Sequence, residues 1–512
     1  MTAPVLMVLG TASSVGKSVL VTALCRIFAQ DGVRVAPFKA QNMSNNAAVT
    51  ADGGEIGRAQ AEQAAAAGVA PTVAMNPVLL KPQGDRTSQL VVEGRARGLL
   101  HAGAFAGERR ELWDVVVRSL AALRAEYALV VAEGAGAALE PNLRASDIVN
   151  LRVARHAQAP VLLAVDIDRG GAFAHLLGTL AFMEPEERAL VRGFIINRFR
   201  GDPGLLAPAL ADIEARTGVP VLGVVPWLPE LRVAQEDAVA LERAHEAPPE
   251  PGAEDARFDV AVAHFARIAN FDDLDPLAAE PGVRVRYVTR PEELGAPQLI
   301  VLPGTKATIA DLAALRASGL ADAIVARARM GAAVLGLCGG YQMLGAELHD
   351  PDGVEAERGA RVPGLGLLPV VTTFAAEKVT RQVRGVVRAA AGPWGDATGV
   401  AVHGYEIHMG RTEPLPGAGA LAPLLALEGR PDGAVSGDGR IAGCYLHGLL
   451  HNDALRRALL HALGHRAAQG ASALDREREF DRLAAHVRAH LDIGRVRALV
   501  GLDRLDAREE RA

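Results

Sequence analysis

The sequence predicts an α/β protein, with a doubly wound N-terminal domain and a second α/β domain behind it. Three observations predict this. Short, wholly apolar runs alternate with amphipathic stretches through roughly the first 230 residues; an Ala-, Glu- and Pro-rich stretch without strand pattern follows; then a second series of apolar runs begins, with different loops between them. Apolar runs of four to eight residues, ended by turn residues and followed by helical stretches, mark parallel strands buried on both faces.

In chain order the first domain's runs are PVLMVLG, VRVAPF, YALVVAEG, PVLLAVDID, RGFIINRF and VPVLGVVP. A helix from Lys17 to about Gln30 follows the first run, and a long Ala/Gln-rich helix follows the second. The second domain opens at FDVAVAHF and continues through VRVRYVT, PQLIVLPGT, GAAVLGLCGG, an irregular β-rich stretch from about Gly364 to Arg411, and RIAGCYLHG. Near the C-terminus Phe480, Leu483, Val487 and Leu491 form one apolar stripe, which predicts a helix packed on its own domain. The expected division is 1–237, a linker at 238–257, a second domain at 258–463 and a helical segment at 464–512.

Composition narrows the function. A chain of 512 residues exceeds what one hydrophobic core supports, in keeping with two domains. With 60 acidic against 54 basic residues the net charge is -6, which argues against nucleic acid or an anionic membrane as partner. The apolar N-terminal run is too short to span a bilayer and lacks a basic flank, so no targeting segment is expected. Cys25, Cys338 and Cys444 are too far apart for a Cys-x-x-Cys pair and fit a reducing, cytoplasmic setting. Of the 54 basic residues only five are lysines: Lys17, Lys39, Lys81, Lys306 and Lys378. Either codon bias left them by accident, or Lys is kept where a compact ammonium is needed.

The first strand runs into Gly10-Thr-Ala-Ser-Ser-Val-Gly16-Lys17-Ser18 and then a helix. Small residues between a strand and a helix aim backbone N–H groups at a phosphate, with Lys17 on the outer phosphates and Ser18 on Mg²⁺. ATP and Mg²⁺ are the expected ligands of this P-loop. Glu133 ends the run YALVVA, where a carboxylate could hold the metal or simply cap a turn. Lys39 ends VRVAPF on the same edge and suits a phosphoryl group in transit. Asn197, after RGFII, could read an adenine edge or serve as a turn residue. The clusters KAQNMSNN, NPVLLKP and DIDRGG suit a large polar substrate, which makes Asn42, Asn45, Lys81, Asp168 and Arg169 candidate contacts; turn and capping roles fit each of them as well. Thr11 stands where a glycine is usual, and the loop resembles the Gly-Thr-x-x-x-Val-Gly-Lys variant of the dethiobiotin synthetase-like ATPases. That resemblance implies activation of a carboxylate by phosphorylation. ParA/MinD-type partition ATPases carry a signature lysine where this chain has Ala12.

In the second domain a strand enters Gly336-Leu-Cys338-Gly-Gly340 and then a helix. Glycines permit a strained turn that exposes the nucleophile, so Cys338 is the expected nucleophile, and Cys25 and Cys444 are expected to be packing residues. His447, at the end of RIAGCYLHG, is the expected base, with His408 of GYEIHMG as second choice. Backbone N–H groups of Gly304, in LPGTK, and Gly339 are the expected oxyanion hole. This domain resembles the class I glutamine amidotransferases, which carry a Cys-His pair and usually an acid two residues after the histidine. Here that position is Leu449, so a dyad is expected.

With GTASSVGKS, KAQNMSNNA, NPVLLKP, DIDRGGAFA, LPGTK, GLCGGYQMLG and GYEIHMGRT in this order, the whole chain resembles the cobyric acid synthase family. The resemblance implies ATP-dependent, glutamine-hydrolysing amidation of the b, d, e and g carboxylates of adenosylcobyrinic acid a,c-diamide, with glutamine, ATP and the corrinoid carboxylate as small-molecule partners. The cobyrinic acid a,c-diamide synthases are the nearest alternative. A regulatory ATPase with a non-catalytic glutaminase-like module is the alternative of another class.

Overall fold

The structure, a computed structural model, describes residues 2–84, 86–101, 105–233, 258–418, 421–466 and 475–503. The expected linker lies outside them. Six strands build the first sheet: β1 (Val5–Gly10), β2 (Val35–Phe38), β3 (Leu129–Glu133), β4 (Val161–Asp166), β5 (Val191–Phe199) and β6 (Val221–Pro226). Their order is β6-β5-β4-β1-β3-β2, all parallel. Every residue of β1, β3 and β4 is buried, because helices cover both faces. Helix α1 (Lys17–Gln30) follows β1, and α2 (Arg58–Ala66) is the first part of the expected Ala/Gln-rich helix. That helix is shorter than expected, and strands 78–84, 87–92 and 95–101 follow it in a separate small sheet.

The second sheet contains β7 (Phe258–Ala263), β8 (Val283–Val288), β9 (Leu299–Leu302), β10 (Ala333–Leu337), β11 (Ala434–Val435) and β12 (Ile441–Cys444), in the order β8-β7-β9-β10-β12-β11. Only β11 runs antiparallel. The irregular β-rich stretch is a long antiparallel hairpin, 370–387 against 401–414. Its middle meets the first domain, where Ala47, Val49, Leu79 and Val91 bury Ile407 in a small apolar cluster.

Helix α3 (Gly339–Leu344) follows β10, and α4 (Arg476–His490) carries the apolar stripe. Helix α4 does not pack on the domain that precedes it. Phe480, Leu483, Ala484 and Val487 join a core cluster with Leu24, Ile27 and Phe28 of α1. Arg26 pairs with Asp481 at 2.7 Å and Glu477 at 2.8 Å, and the Asp492 N–H donates to the Leu222 carbonyl. The chain thus returns to cover the apolar face of α1.

Candidate active sites

The phosphate loop turns on Gly16, whose φ of 95° favours glycine. A Cβ there would fall 2.2 Å from Asn197 Nδ2, so even alanine would push that amide aside. Asn197 in turn donates to the Val15 carbonyl at 2.8 Å. Its amide therefore braces the loop, although the residue also lines the adjoining cavity. Lys17 donates to the carbonyls of Ala12 and Gly136, which aims its ammonium across the loop mouth.

Glu133 gathers two of the predicted residues and one that the sequence did not single out. Ser18 Oγ and Lys39 Nζ donate to Oε1 at 2.8 and 2.9 Å, and Gln63 Nε2 of α2 donates to Oε2 at 2.5 Å. Burial opposes the charge of this carboxylate, but the Lys39 ammonium and the bonds from Gln63 and Ser18 outweigh it and hold the carboxyl below its usual range. These groups open onto a cavity of about 1330 Å³, large enough for a nucleotide and a second substrate. Asn42 lines it, as do Leu483 and His486 of α4. No periodicity within the first domain could have announced that last contribution.

The other substrate candidates are not brought to this cavity. Leu80 and Pro82 face it, so Lys81 between them points the opposite way, as strand alternation requires. Lys81 is buried against Glu55 at 2.6 Å. Asp168 pairs with Arg200, and Arg169 lies 3.6 Å from Asp166, both at the outer end of β4. Asn45 is half-buried, with an Oδ1 that has no hydrogen-bond partner.

Cys338 sits between β10 and α3 at φ 51° and ψ −109°, the strained turn expected of an exposed nucleophile. Its thiol lies against the Ile407 carbonyl at 3.4 Å and within hydrogen-bonding reach of His447. Gly304 is adjacent, since a Cβ there would be 3.0 Å from His447 Cε1, and Gly339 lies beside Thr305 of the same loop. His408, the second choice for the base, lines the pocket but stacks on Tyr445 at 3.8 Å.

The expected dyad is corrected to a three-residue array. Asp273 Oδ2 is 2.7 Å from His447 Nδ1, and its Oδ1 accepts the Gly448 N–H at 2.7 Å. The acid comes from the loop after β7, which lies near β12 in space, and therefore position 449 is free to be leucine. The signal for it was a pair of aspartates, Asp272 and Asp273, shortly beyond a strand's C-terminal end. Burial disfavours the imidazolium, but Asp273 and the Cys338 sulfur outweigh it and push His447 up to about 10.

Three of the five lysines meet at this pocket. Lys81, Lys306 and Lys378 all line it together with Cys338 and His447. Burial, with Lys378 and Lys81 nearby, brings Lys306 down to about 7. Lys378, for which the sequence suggested no role, donates to Glu55 and to Gln89 of the first domain.

Comparison with known proteins finds two family models that match the chain. Residues 6–240 match the model of the CobQ/CobB/MinD/ParA nucleotide binding domain, and residues 259–455 that of the CobB/CobQ-like glutamine amidotransferase domain. Fold and sites thus define a glutamine-dependent, amide-forming ligase with a nucleotide-binding domain. Cobyric acid synthase of Sorangium cellulosum (strain So ce56) is 55% identical over 527 residues, covering 98% of this chain and 100% of the relative. That of Roseiflexus castenholzii (strain DSM 13941 / HLO8) is 54% identical, covering 98% and 99%. The chain belongs to the cobyric acid synthase family. Among the described residues no helix is long and apolar enough to cross a membrane.

Proposed function

We propose that this chain amidates the b, d, e and g carboxylates of adenosylcobyrinic acid a,c-diamide to give adenosylcobyric acid, using ATP and glutamine. One observation carries the reading: a single chain holds both a phosphate loop with a charged Ser18–Lys39–Glu133 cluster and a Cys338–His447–Asp273 array. A carboxylate is a poor electrophile, and free ammonia is scarce at neutral pH. The two centres answer these two difficulties separately.

In the first domain, proposed as 1–237, the γ-phosphoryl group of ATP passes to the substrate carboxylate, giving an acyl phosphate and ADP. Lys17 and Lys39 stabilise the charge in transit, and Asn197 keeps the loop in register. Oxygen donors on one charged carboxylate and one hydroxyl suit Mg²⁺, so Ser18 and Glu133 would hold it, and when bound it supplies charge neutralisation on the phosphates. Asn42 on the cavity wall is the proposed corrinoid contact that its position best supports.

In the second domain, proposed as 258–463, Cys338 Sγ attacks the side-chain amide carbon of glutamine. The thiol proton, already held by His447, passes to the departing nitrogen, releasing ammonia and leaving a thioester. Asp273 holds the imidazole in the required tautomer, and the N–H groups of Gly304 and Gly339 receive the oxyanion. Water then hydrolyses the thioester to glutamate. Ammonia displaces phosphate from the acyl phosphate and completes the amide.

The test is to incubate the protein with ATP, Mg²⁺, the a,c-diamide and either glutamine or ammonium, and to count amides by mass. Four additions are expected with either nitrogen source. Cys338→Ser should abolish the glutamine reaction and leave the ammonium reaction measurable; loss of both with the fold intact would overturn the two-site reading.

A further inference from the structure

The residues that orient His447 are themselves held from across the domain boundary. Asn270, Asp272 and Asp273 share the loop after β7, and the first domain grips that loop at two points. The Ala47 N–H donates to Asn270 Oδ1 at 2.9 Å, and Arg58 Nη2 lies 3.1 Å from Asp272 Oδ2. The same guanidinium donates to the Tyr405 hydroxyl. Tyr405 stacks on the His447 ring with centroids 5.3 Å apart and planes 16° from parallel, and the two residues exchange both backbone hydrogen bonds. Arg58 thus holds the carboxylate next to the one on Nδ1 and also the ring that covers the imidazole face.

An arginine serving only to dock two domains would pair with any acid on the facing surface. Arg58 instead has, in the second domain, two partners that both adjoin the reacting histidine, and its side chain is only 12% exposed. Removing it would leave the buried Asp272 carboxylate beside Asp273 without its guanidinium, an arrangement relieved by movement of the loop. Such movement takes Asp273 off His447. A displacement of about 1 Å in a catalytic array costs on the order of 10²-fold in rate.

Arg58 also opens α2, the helix that carries Gln63 to Glu133. At about 1.5 Å per residue these two contacts lie roughly 7.5 Å apart along the helix axis. One short helix therefore touches the supports of both centres.

We infer that Arg58 is a positioning residue of the glutaminase centre: by holding Asp272 and Tyr405 it fixes Asp273 and His447, so that the second domain hydrolyses glutamine efficiently only when docked on the first. The inference rests on the proposed roles of Cys338, His447 and Asp273. Its test uses the full chain as wild type, Arg58→Ala, Arg58→Lys and Cys338→Ser, with glutamate release and ammonium-dependent amidation measured in parallel. Arg58→Ala should lower kcat for glutamine by at least about 30-fold, with KM changed less than about 3-fold and ammonium-dependent amidation within about 2-fold of wild type. Arg58→Lys, which keeps the cation, should recover most of the loss. If Arg58→Ala hydrolyses glutamine within about 3-fold of wild type, the inference fails. It also fails if both activities fall together and lysine rescues neither, because that pattern belongs to a docking or folding role. Glutamine hydrolysis surviving in Cys338→Ser would instead overturn the site assignment on which the inference stands.

Discussion

Asp273 shows how much of a catalytic centre can rest on one distant side chain. Its carboxylate, more than the Cys338 sulfur, is why a buried imidazole keeps its proton up to about pH 10. The folded pKa lies above the reference value of 6.5, so the ion pair's contribution to stability is whole below about 6.5 and is lost as pH rises through about 10. Asp273→Asn removes the charge and keeps the shape. It is expected to lower glutamine-dependent kcat by about 10²–10³-fold and to move the alkaline limb of kcat/KM down by at least about one pH unit. Glutamate release measured across that range checks it; an unmoved limb would remove Asp273 from the array. Cys338, His447 and the Gly-Lys-Ser of the phosphate loop were legible because each lies in a contiguous pattern whose chemistry is local. Asp273 was not, because it stands 174 positions from its histidine, and no spacing rule reaches that far.

Among the elements, α4 and α2 do more than their sequences announce. The apolar stripe of α4 correctly indicated a packed helix, but amphipathic periodicity specifies which face is buried and is silent about the surface that buries it. Phe480 is 1% exposed in the same cluster as Phe28 of α1. Phe480→Ala is therefore expected to destabilise the first domain by about 3–5 kcal/mol, through lost burial and the cavity left behind. Urea denaturation with and without ATP measures this. A smaller change would mean that α4 contributes little to that core. The strand at 78–84 teaches the converse lesson: alternation was available in the sequence to separate Lys81 from Leu80 and Pro82, but which face opened on the substrate cavity was not.

At the scale of the whole molecule, the five lysines divide by function. Lys17 and Lys39 line the large cavity of the first domain, while Lys81, Lys306 and Lys378 converge from both domains on the pocket of Cys338. Glu55 bridges Lys81 and Lys378, which makes the domain boundary a wall of the second centre. Because the two centres act in series, their lesions should differ. Lys17→Ala is expected to reduce amidation at least about 10²-fold with either glutamine or ammonium, since carboxylate activation precedes both. An ammonium reaction that survives the substitution would detach the phosphate loop from that step. The sequence by itself determined the two α/β units, the phosphate loop and the cysteine turn, because strands, glycine turns and helix starts are set by residues adjacent in the chain. Only the tertiary structure decided that Asp273 completes the array, that α4 covers the first domain, and that Arg58 and Lys81 reach the second domain's centre. Each of these is a contact between surfaces far apart in sequence, and such contacts depend on how the elements dock, which local pattern does not encode.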